Sequence, residues 1–330
     1  MRTERHINLC AIAAAITGIC AINWAPATLA QNFPVRPLRL LVPWAPGGAA
    51  DILARTVAQK MGENWSQQVV VDNRPGANGI IGTELAARAP ADGYTLLMGA
   101  TGPNSVLPSL VAKLPYDAIK DFAPVSLIAT TTYVLSVHPS LPVSSVKDLV
   151  ALAKSKPGQF TFGSPGAGTP NHLSGEMFKA ASGIDMQHVP YKGSALVITD
   201  VIGGQITMAF ENIAPVLPHI RSGKLKALAI SAPKRSALLP EVPTVAESGF
   251  PGFQAVGWFG LLVPGNTPQS VIARLNTETV RILKLPDVRE RLLGIGVEIH
   301  GSTVEEFAVF EKTELEKWAR VVKSANVRLE

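Results

Sequence analysis

Cysteine is almost absent from this sequence, and charged residues are fewer than in most soluble proteins. The 330 residues include only 2 cysteines, Cys10 and Cys20, and 17% of the chain is Asp, Glu, Lys or Arg. Both cysteines lie in the first thirty residues, so a chain without that segment has no thiol for a disulfide, a metal or a nucleophile. We therefore expect a hydrophobic core to hold the fold, with no metal site and no cofactor.

Long hydrophobic runs are absent after residue 30, so no later segment is predicted to cross a membrane. The 30 Lys and Arg residues exceed the 25 Asp and Glu residues, which gives a formal net charge of +5. These cations form no block and no stripe interleaved with aromatic residues, and we therefore do not expect nucleic acid as a partner. The weak positive balance suits a protein that binds acidic solutes.

The N-terminal segment has the three parts of an export signal. Arg2 and Arg5 precede an apolar stretch at residues 10–24, and residues 25–30 end in the small residue Ala30. This order predicts a signal peptide, residues 1–30, that is cleaved near Ala30.

A membrane anchor and a lipid-modified cysteine are the alternatives for this segment. Thr17, Gly18 and Asn23 interrupt the apolar stretch, which is shorter than the roughly 20 residues that a spanning helix needs. Ile19 stands where lipid modification of Cys20 would require a small residue, so cleavage is favoured over both alternatives.

Strand-like apolar runs alternate with amphipathic segments from residue 35 onward. Residues 38–43, 51–64 and 69–71 have the pattern of a βαβ unit, and the pattern changes at residues 122–129. The 300 or so residues after the signal suit two domains of ordinary size. We predict an α/β fold with two Rossmann-like domains joined by a hinge: residues 31–130 with 254–330, and residues 131–253.

Two glycine-rich turns stand where helices are predicted to begin, at residues 43–51 and 163–172. A helix N-terminus has backbone N–H groups without partners and a partial positive charge, so a glycine-rich entry lets an anion approach closely. Neither turn fits a phosphate-binding loop or a dinucleotide fingerprint. The two turns favour a small carboxylate held between domains, although such glycine runs also serve as plain strand-to-helix turns.

Several segments closely resemble the Bug family, the solute-binding proteins of tripartite tricarboxylate transporters. The likeness runs in order along the mature chain, through residues 43–51, 72–79, 91–97, 189–193 and 239–244. It implies a periplasmic protein with the type II periplasmic-binding-protein (Venus flytrap) fold. It also implies a carboxylate gripped by backbone N–H groups and bridging waters from the two turns, and membrane subunits of such a transporter as partners.

The candidate ligand-binding residues come from the two turns and from three further positions near predicted strand ends. They are Trp44, Ala45, Pro46, Gly47, Gly48, Ala49, Ala50, Thr101, Ser164, Gly166, Gly168, Thr169, Asn171, Tyr191 and Glu211. Trp44 is expected to form an apolar wall, and the hydroxyls of Thr101, Ser164 and Thr169 to donate to the ligand. Ser164, Thr169 and Asn171 have plain turn and capping roles as alternatives, and Lys192 is left open between a ligand contact and a surface cation.

The leading functional hypothesis is capture of a small carboxylate in the periplasm and its delivery to a tripartite tricarboxylate-type membrane transporter, by a monomer without catalytic residues. Presentation of the bound solute to a sensor kinase is the alternative. A hydrolase that uses Ser164 and His172 is less favoured, because no nucleophile-elbow pattern and no cluster with metal-ligand spacing accompany them.

Overall fold

The computed structural model describes residues 33–325 and residue 327. The predicted export signal, its cleavage near Ala30 and both cysteines lie outside the described residues. Across this part of the chain the strands are β1 (Leu38–Val42), β2 (Val69–Asn73), β3 (Thr95–Ala100), β4 (Phe122–Val137), β5 (Phe160–Ser164), β6 (Met186–Pro190), β7 (Met208–Asn212), β8 (Lys226–Ile230), β9 (Val256–Pro264) and β10 (Val297–Ile299).

The helices alternate with these strands over most of the chain. They are α1 (Ala49–Trp65), α2 (Ile80–Ala87), α3 (Leu107–Leu110), α4 (Val146–Ser155), α5 (Pro170–Ser182), α6 (Ser194–Ile202), α7 (Ile213–Arg221), α8 (Gln269–Leu283), α9 (Pro286–Gly294) and α10 (Val304–Ala325). No helix within residues 33–325 has both the length and the apolar character needed to cross a membrane.

The long strand β4 belongs to two sheets. Its residues 122–132 pair antiparallel with β9, in a sheet of order β2-β1-β3-β9-β4, and β10 pairs with β4 on its other side. Its residues 133–137 pair with β7 and β8, in a second sheet that continues through β5 to β6. The chain therefore changes sheets within one strand, between Thr132 and Tyr133.

The return crossing lies beside the outward crossing. Ala255 donates its N–H to the Ser231 carbonyl of the second sheet at 3.0 Å, and the next residue, Val256, pairs with Thr132 in the first. Two adjacent chain crossings between two sheets are what a hinge requires, and the predicted fold of two α/β domains is confirmed. The residue boundaries assigned to the two domains stay a prediction.

Each sheet has its own hydrophobic core. In the first, β1 and β3 bury Leu40 and Leu96 against Leu53 and Met61 of α1. The parallel order β2-β1-β3 explains why β1 contributes an almost unbroken apolar run, since helices cover both faces of a parallel sheet. In the second, the aromatic residues Phe162, Phe178 and Phe210 pack together with Leu135.

The C-terminal helix α10 contacts both cores. Its buried side chains follow a helical spacing along one face, at Phe307, Glu311, Glu314, Trp318, Val321 and Val322. Phe307 packs with Trp258 in a cluster of the first domain, whereas Trp318 belongs to the core of the second. The length of this helix, 22 residues, is what lets it reach both cores.

Candidate functional site

A cavity of about 180 Å³ opens between the ends of β1, β3 and β5 and the hinge segments of β4, β7 and β9. Ligands of open α/β sheets bind outside the carboxyl ends of parallel strands, so this position agrees with the architecture. The cavity is lined by Trp44, Asn78, Ala100, Thr101, Gly102, Leu107, Thr131, Tyr133, Gly168, Thr169, Pro170, Asn171, Asn212, Gly257, Trp258 and Phe259.

The first glycine-rich turn is braced from within by Asp51, in the first turn of α1. Its Oδ2 accepts hydrogen bonds from the Gly47 N–H and from Arg55 Nε, each at 2.9 Å, and its Oδ1 accepts one from Asn73. Burial alone would raise the pKa of Asp51, but the hydrogen bonds from Arg55, Gly47 and Asn73 outweigh it and hold the pKa below its ordinary value. A charged Asp51 therefore fixes the shape of this turn.

Trp44 is held at the cavity wall by a neighbouring loop and helix. An added Cβ on Gly79 would lie 3.5 Å from the Trp44 ring, and one on Gly82 would lie 2.9 Å from the Cα of Pro43. These small residues let α2 and the loop before it pack directly against the first turn. Packing against these residues thereby positions the indole ring.

The end of β3 contributes Thr101 and a π-helical turn at Gly102–Val106. The Thr101 Oγ1 accepts a hydrogen bond from the Trp258 N–H at 2.7 Å and so connects β3 to β9. Because the oxygen accepts this bond, the hydroxyl hydrogen remains available to an acceptor in the cavity. Single π-helical turns are frequent at functional sites, and this one begins at the cavity.

The second turn is shaped by its own side chains. The Gly166 carbonyl accepts hydrogen bonds from the hydroxyls of Ser164 at 2.9 Å and Thr169 at 2.8 Å. Thr169 is also the N-cap of α5 and accepts from the His172 N–H at 3.3 Å. Thr169 lines the cavity, but Ser164 is fully buried behind the turn.

Two stacked histidines support this turn from behind. The rings of His172 and His188 lie 3.7 Å apart, centroid to centroid. His172 Nδ1 accepts the Gly168 N–H at 3.1 Å, and His188 Nε2 lies 2.7 Å from the Ser164 hydroxyl. The serine hydroxyl thus meets His188, and not His172 as a hydrolase built on Ser164 and His172 would need.

The histidine pair lies in a partly desolvated environment. Burial, together with the neighbouring His172, lowers the pKa of His188 to about 4. Glu176 lies 3.8 Å from His172 Nε2, and although burial would raise its pKa, the interactions with His172 and Lys179 keep it below the ordinary value. Neutral His188 is therefore the form that fits this packing.

Asn171 connects the start of α5 to strand β7. Its Nδ2 donates a hydrogen bond to the Phe210 carbonyl at 2.9 Å and lies 3.5 Å from Glu211 Oε2. Glu211 is fully buried, and burial raises its pKa to about 8, so its carboxyl is protonated at neutral pH. Glu211 does not line the cavity, and it contacts a residue that does.

The floor of the cavity consists of hinge residues that sequence reasoning missed. Thr131 Oγ1 donates to Asn212 Oδ1 at 3.4 Å, and the phenol of Tyr133 lies beside them, with its pKa raised by burial. Gly257 makes room for both side chains, because an added Cβ would lie 2.7 Å from Tyr133 Oη and from Thr131 Cγ2. The local signal in the sequence is Gly257, the glycine directly before Trp258.

The structure brings five of the fifteen predicted site residues to the cavity wall: Trp44, Thr101, Gly168, Thr169 and Asn171. Residues 45–50 adjoin the cavity through Trp44 without lining it, and residues 45–48 of this turn are exposed. Ser164, Gly166, Tyr191 and Glu211 lie behind the wall, where the Tyr191 hydroxyl donates to Asp200 at 2.6 Å. Lys192 is exposed and is not part of the lining. Ligand contact by these residues stays a prediction.

Among the described residues, no charged side chain lines the cavity. Its polar atoms belong to hydroxyls, amides and the main chain at the start of α5, and its apolar wall comes from Trp44, Leu107, Trp258 and Phe259. A site of this kind can stabilise a negative charge through hydrogen-bond donors and a helix N-terminus without an ion pair.

The sequence matches the tripartite tricarboxylate transporter family receptor over residues 53–327. Protein BugT of Bordetella pertussis is 37% identical over 330 residues, which is 100% of both chains. This similarity spans the whole chain and includes both glycine-rich turns.

Two solved structures with the same fold contain a carboxylate. The R. palustris protein Rpa4515, solved with adipate, is 35% identical with a TM-score of 0.81, and the match covers 90% of this chain and 99% of that one. MatC from Rhodopseudomonas palustris, solved with bound malate, is 30% identical with a TM-score of 0.76, covering 88% and 100%.

Proposed function

This chain belongs to the tripartite tricarboxylate transporter receptor family, the Bug family, as the sequence resemblance indicated, and from that membership we propose its cargo and partner. It is a solute-binding receptor with the periplasmic-binding-protein fold. We propose that it binds one small carboxylate in the cavity at the hinge and delivers it to the membrane subunits of such a transporter. The predicted export signal supports a periplasmic location for this step.

The observation that carries the proposal is a lining of neutral hydrogen-bond donors at a helix N-terminus. Gly168, Thr169 and Asn171 place the start of α5 at the cavity, where the free Asn171 N–H and the partial positive charge of the helix N-terminus favour an anion. Thr101 adds a hydroxyl donor from the opposite strand. No charged side chain is found among the described residues of the lining, so no counter-ion competes with the ligand for the Asn171 N–H and the Thr101 hydroxyl.

The cavity size favours a small acid as the cargo. Its volume of about 180 Å³ lies below the roughly 300 Å³ at which pockets for drug-sized ligands begin. The carboxylates named in the structures of two relatives, adipate and malate, support this class of cargo. Trp44 and Phe259 suit the apolar part of such an acid.

Domain closure would distinguish the ligand-bound receptor from the empty one. The cavity takes its lining from both sheets, so a bound acid would gain contacts in a closed form that an open form lacks, and the population would shift toward closure. The crossings at Thr132–Tyr133 and Ala255–Val256 are the proposed hinge. The membrane subunits would then recognise the closed form.

A thermal-shift screen tests this proposal. Residues 31–330 are melted with mono-, di- and tricarboxylates and with the primary amide of each acid. A ligand at a hundred times its dissociation constant stabilises the fold by roughly 2.7 kcal/mol, which visibly raises the melting temperature. The proposal predicts stabilisation by at least one small acid and a clearly smaller stabilisation by its amide at the same concentration. Equal shifts with acid and amide would contradict it.

A further inference from the structure

Asn171 lines the cavity and has a side-chain carbonyl oxygen without a partner among the described residues. The residue is only 5% exposed, and its Nδ2 donates to the Phe210 carbonyl at 2.9 Å. A main-chain carbonyl can only accept a hydrogen bond, so this contact fixes which way the amide is oriented. Within residues 33–325, Asn171 Oδ1 has no hydrogen-bond partner. This oxygen is not fully enclosed by the protein, and Asn171 lines the cavity.

The backbone of the same residue supplies a donor. Pro170 has no N–H, and the His172 N–H is bound by the Thr169 hydroxyl at 3.3 Å. The Asn171 N–H has no acceptor in the described chain, so it is the donor at the start of α5 that remains for an anion. Asn171 thus offers a donor and an acceptor close together.

We propose that the cargo is a 2-hydroxycarboxylate, whose carboxylate binds at the start of α5 and whose 2-hydroxyl donates to Asn171 Oδ1. The inference rests on the proposed function and narrows its substrate class. A carboxylate and a hydroxyl on the adjacent carbon match a backbone N–H and a side-chain oxygen of one residue. A site that accepts a hydrogen bond from a ligand hydroxyl discriminates against an analogue without that hydroxyl, because the buried oxygen of the protein is then left without a hydrogen-bond donor.

A 2-amino acid would also present a donor at this position, but the surroundings favour a hydroxyl. An ammonium group brings a positive charge, and no carboxylate belongs to the cavity lining. The nearest acid to Asn171, Glu211, is buried outside the lining, and burial raises its pKa to about 8, so it provides no counter-charge at neutral pH. A neutral hydroxyl needs only the single acceptor that Asn171 provides.

Calorimetry with matched acids tests the inference. Residues 31–330 are titrated with lactate and propionate, malate and succinate, 2-hydroxyglutarate and glutarate, and mandelate and phenylacetate. In each pair that binds, the hydroxy acid is expected to bind at least about tenfold more tightly, about 1.4 kcal/mol. Asn171→Ala is expected to reduce this ratio to within about twofold, whereas Asn212→Ala, an amide on the same cavity wall, is expected to preserve it.

The outcomes separate this inference from the proposed function. Equal binding of both acids of every pair by the unmodified protein overturns the inference, needs no variant, and leaves carboxylate binding intact. Tighter binding of alanine or aspartate than of lactate or malate also overturns it, and so does loss of the ratio in Asn212→Ala but not in Asn171→Ala. Absence of binding by any acid of the panel overturns both.

Discussion

The hydroxyl oxygen of Thr101 accepts the main-chain N–H of Trp258 at 2.7 Å, across 157 residues of sequence. This contact joins the end of β3 to the return strand β9 at the cavity wall, and both residues line the cavity. Thr101 therefore has a structural role and a free hydroxyl hydrogen at the same time, so one substitution is expected to change both stability and ligand binding.

Thr101→Val is expected to weaken binding of the acid about tenfold and to destabilise the fold by about 1–3 kcal/mol. Valine keeps the shape but removes the donor to the ligand, and it leaves the buried Trp258 N–H without an acceptor. Calorimetry and thermal melting measure the two effects. Thr101→Ser retains the hydroxyl and should restore most of both, and a valine variant with unchanged affinity would rule out the donor role.

Gly257→Ala is expected to reduce affinity for the acid by at least about tenfold and stability by about 1–3 kcal/mol. Its Cβ would lie 2.7 Å from Tyr133 Oη and from Thr131 Cγ2, so the floor of the cavity must shift. Gly294→Ala is the matched control, because nothing lies within 4 Å of its added Cβ. Equal affinities for the two variants would show that the floor does not touch the ligand.

Acid is expected to destabilise the fold through His188. Burial and His172 lower the pKa of His188 to about 4 in the folded protein. Between pH 6.5 and 4 the unfolded chain therefore binds a proton that the folded chain does not, and the stability of the fold decreases as the pH decreases. His188→Asn should therefore show a smaller loss of melting temperature over this range than the unmodified protein. His219→Asn, in the last turn of α7, should retain the full loss, and a His188→Asn profile parallel to that of the unmodified protein would disprove this source.

Alkaline pH is expected to destabilise the fold through Glu311 of α10. Burial raises its pKa to about 8, so between pH 4.5 and 8 the unfolded chain releases a proton that the folded chain retains, and this contribution is lost as pH rises. Glu311→Gln should melt at a higher temperature than the unmodified protein at pH 8 and show little gain at pH 5. Glu316 is an exposed acid of the same helix, and Glu316→Gln should leave the melting temperature unchanged at both pH values. If Glu311→Gln raised the melting temperature equally at pH 5 and pH 8, the cause would be something other than ionisation of Glu311.

Much of the fold could be predicted because its signals are local. The strands β1, β5 and β6 and the helices α4, α5 and α9 follow hydrophobic periodicity and end at glycine or a charged turn. The helices α6 and α7 were not predicted. α6 is rich in β-branched residues such as Val197 and Ile198, and α7 contains Pro215 and Pro218, so their propensities oppose the helices that tertiary packing stabilises.

The helix-end part of the site could also be predicted, since a glycine turn, a capping threonine and a proline at the helix start are all local features. The floor could not, because Tyr133, Asn212 and Gly257 meet only through the pairing of β4 with β7 and β9. The side chains of Ser164 and Tyr191 hydrogen-bond to His188 and Asp200, which spacing along the chain does not reveal.

Calorimetric titration of residues 31–330 with the most stabilising acid and with its primary amide tests the central claim most directly. The account predicts one site per chain and at least about tenfold tighter binding of the acid, because the free Asn171 N–H and the partial positive charge at the start of α5 stabilise a negative charge. Equal affinity for acid and amide, or no saturable heat with any acid, would contradict a carboxylate site at this cavity.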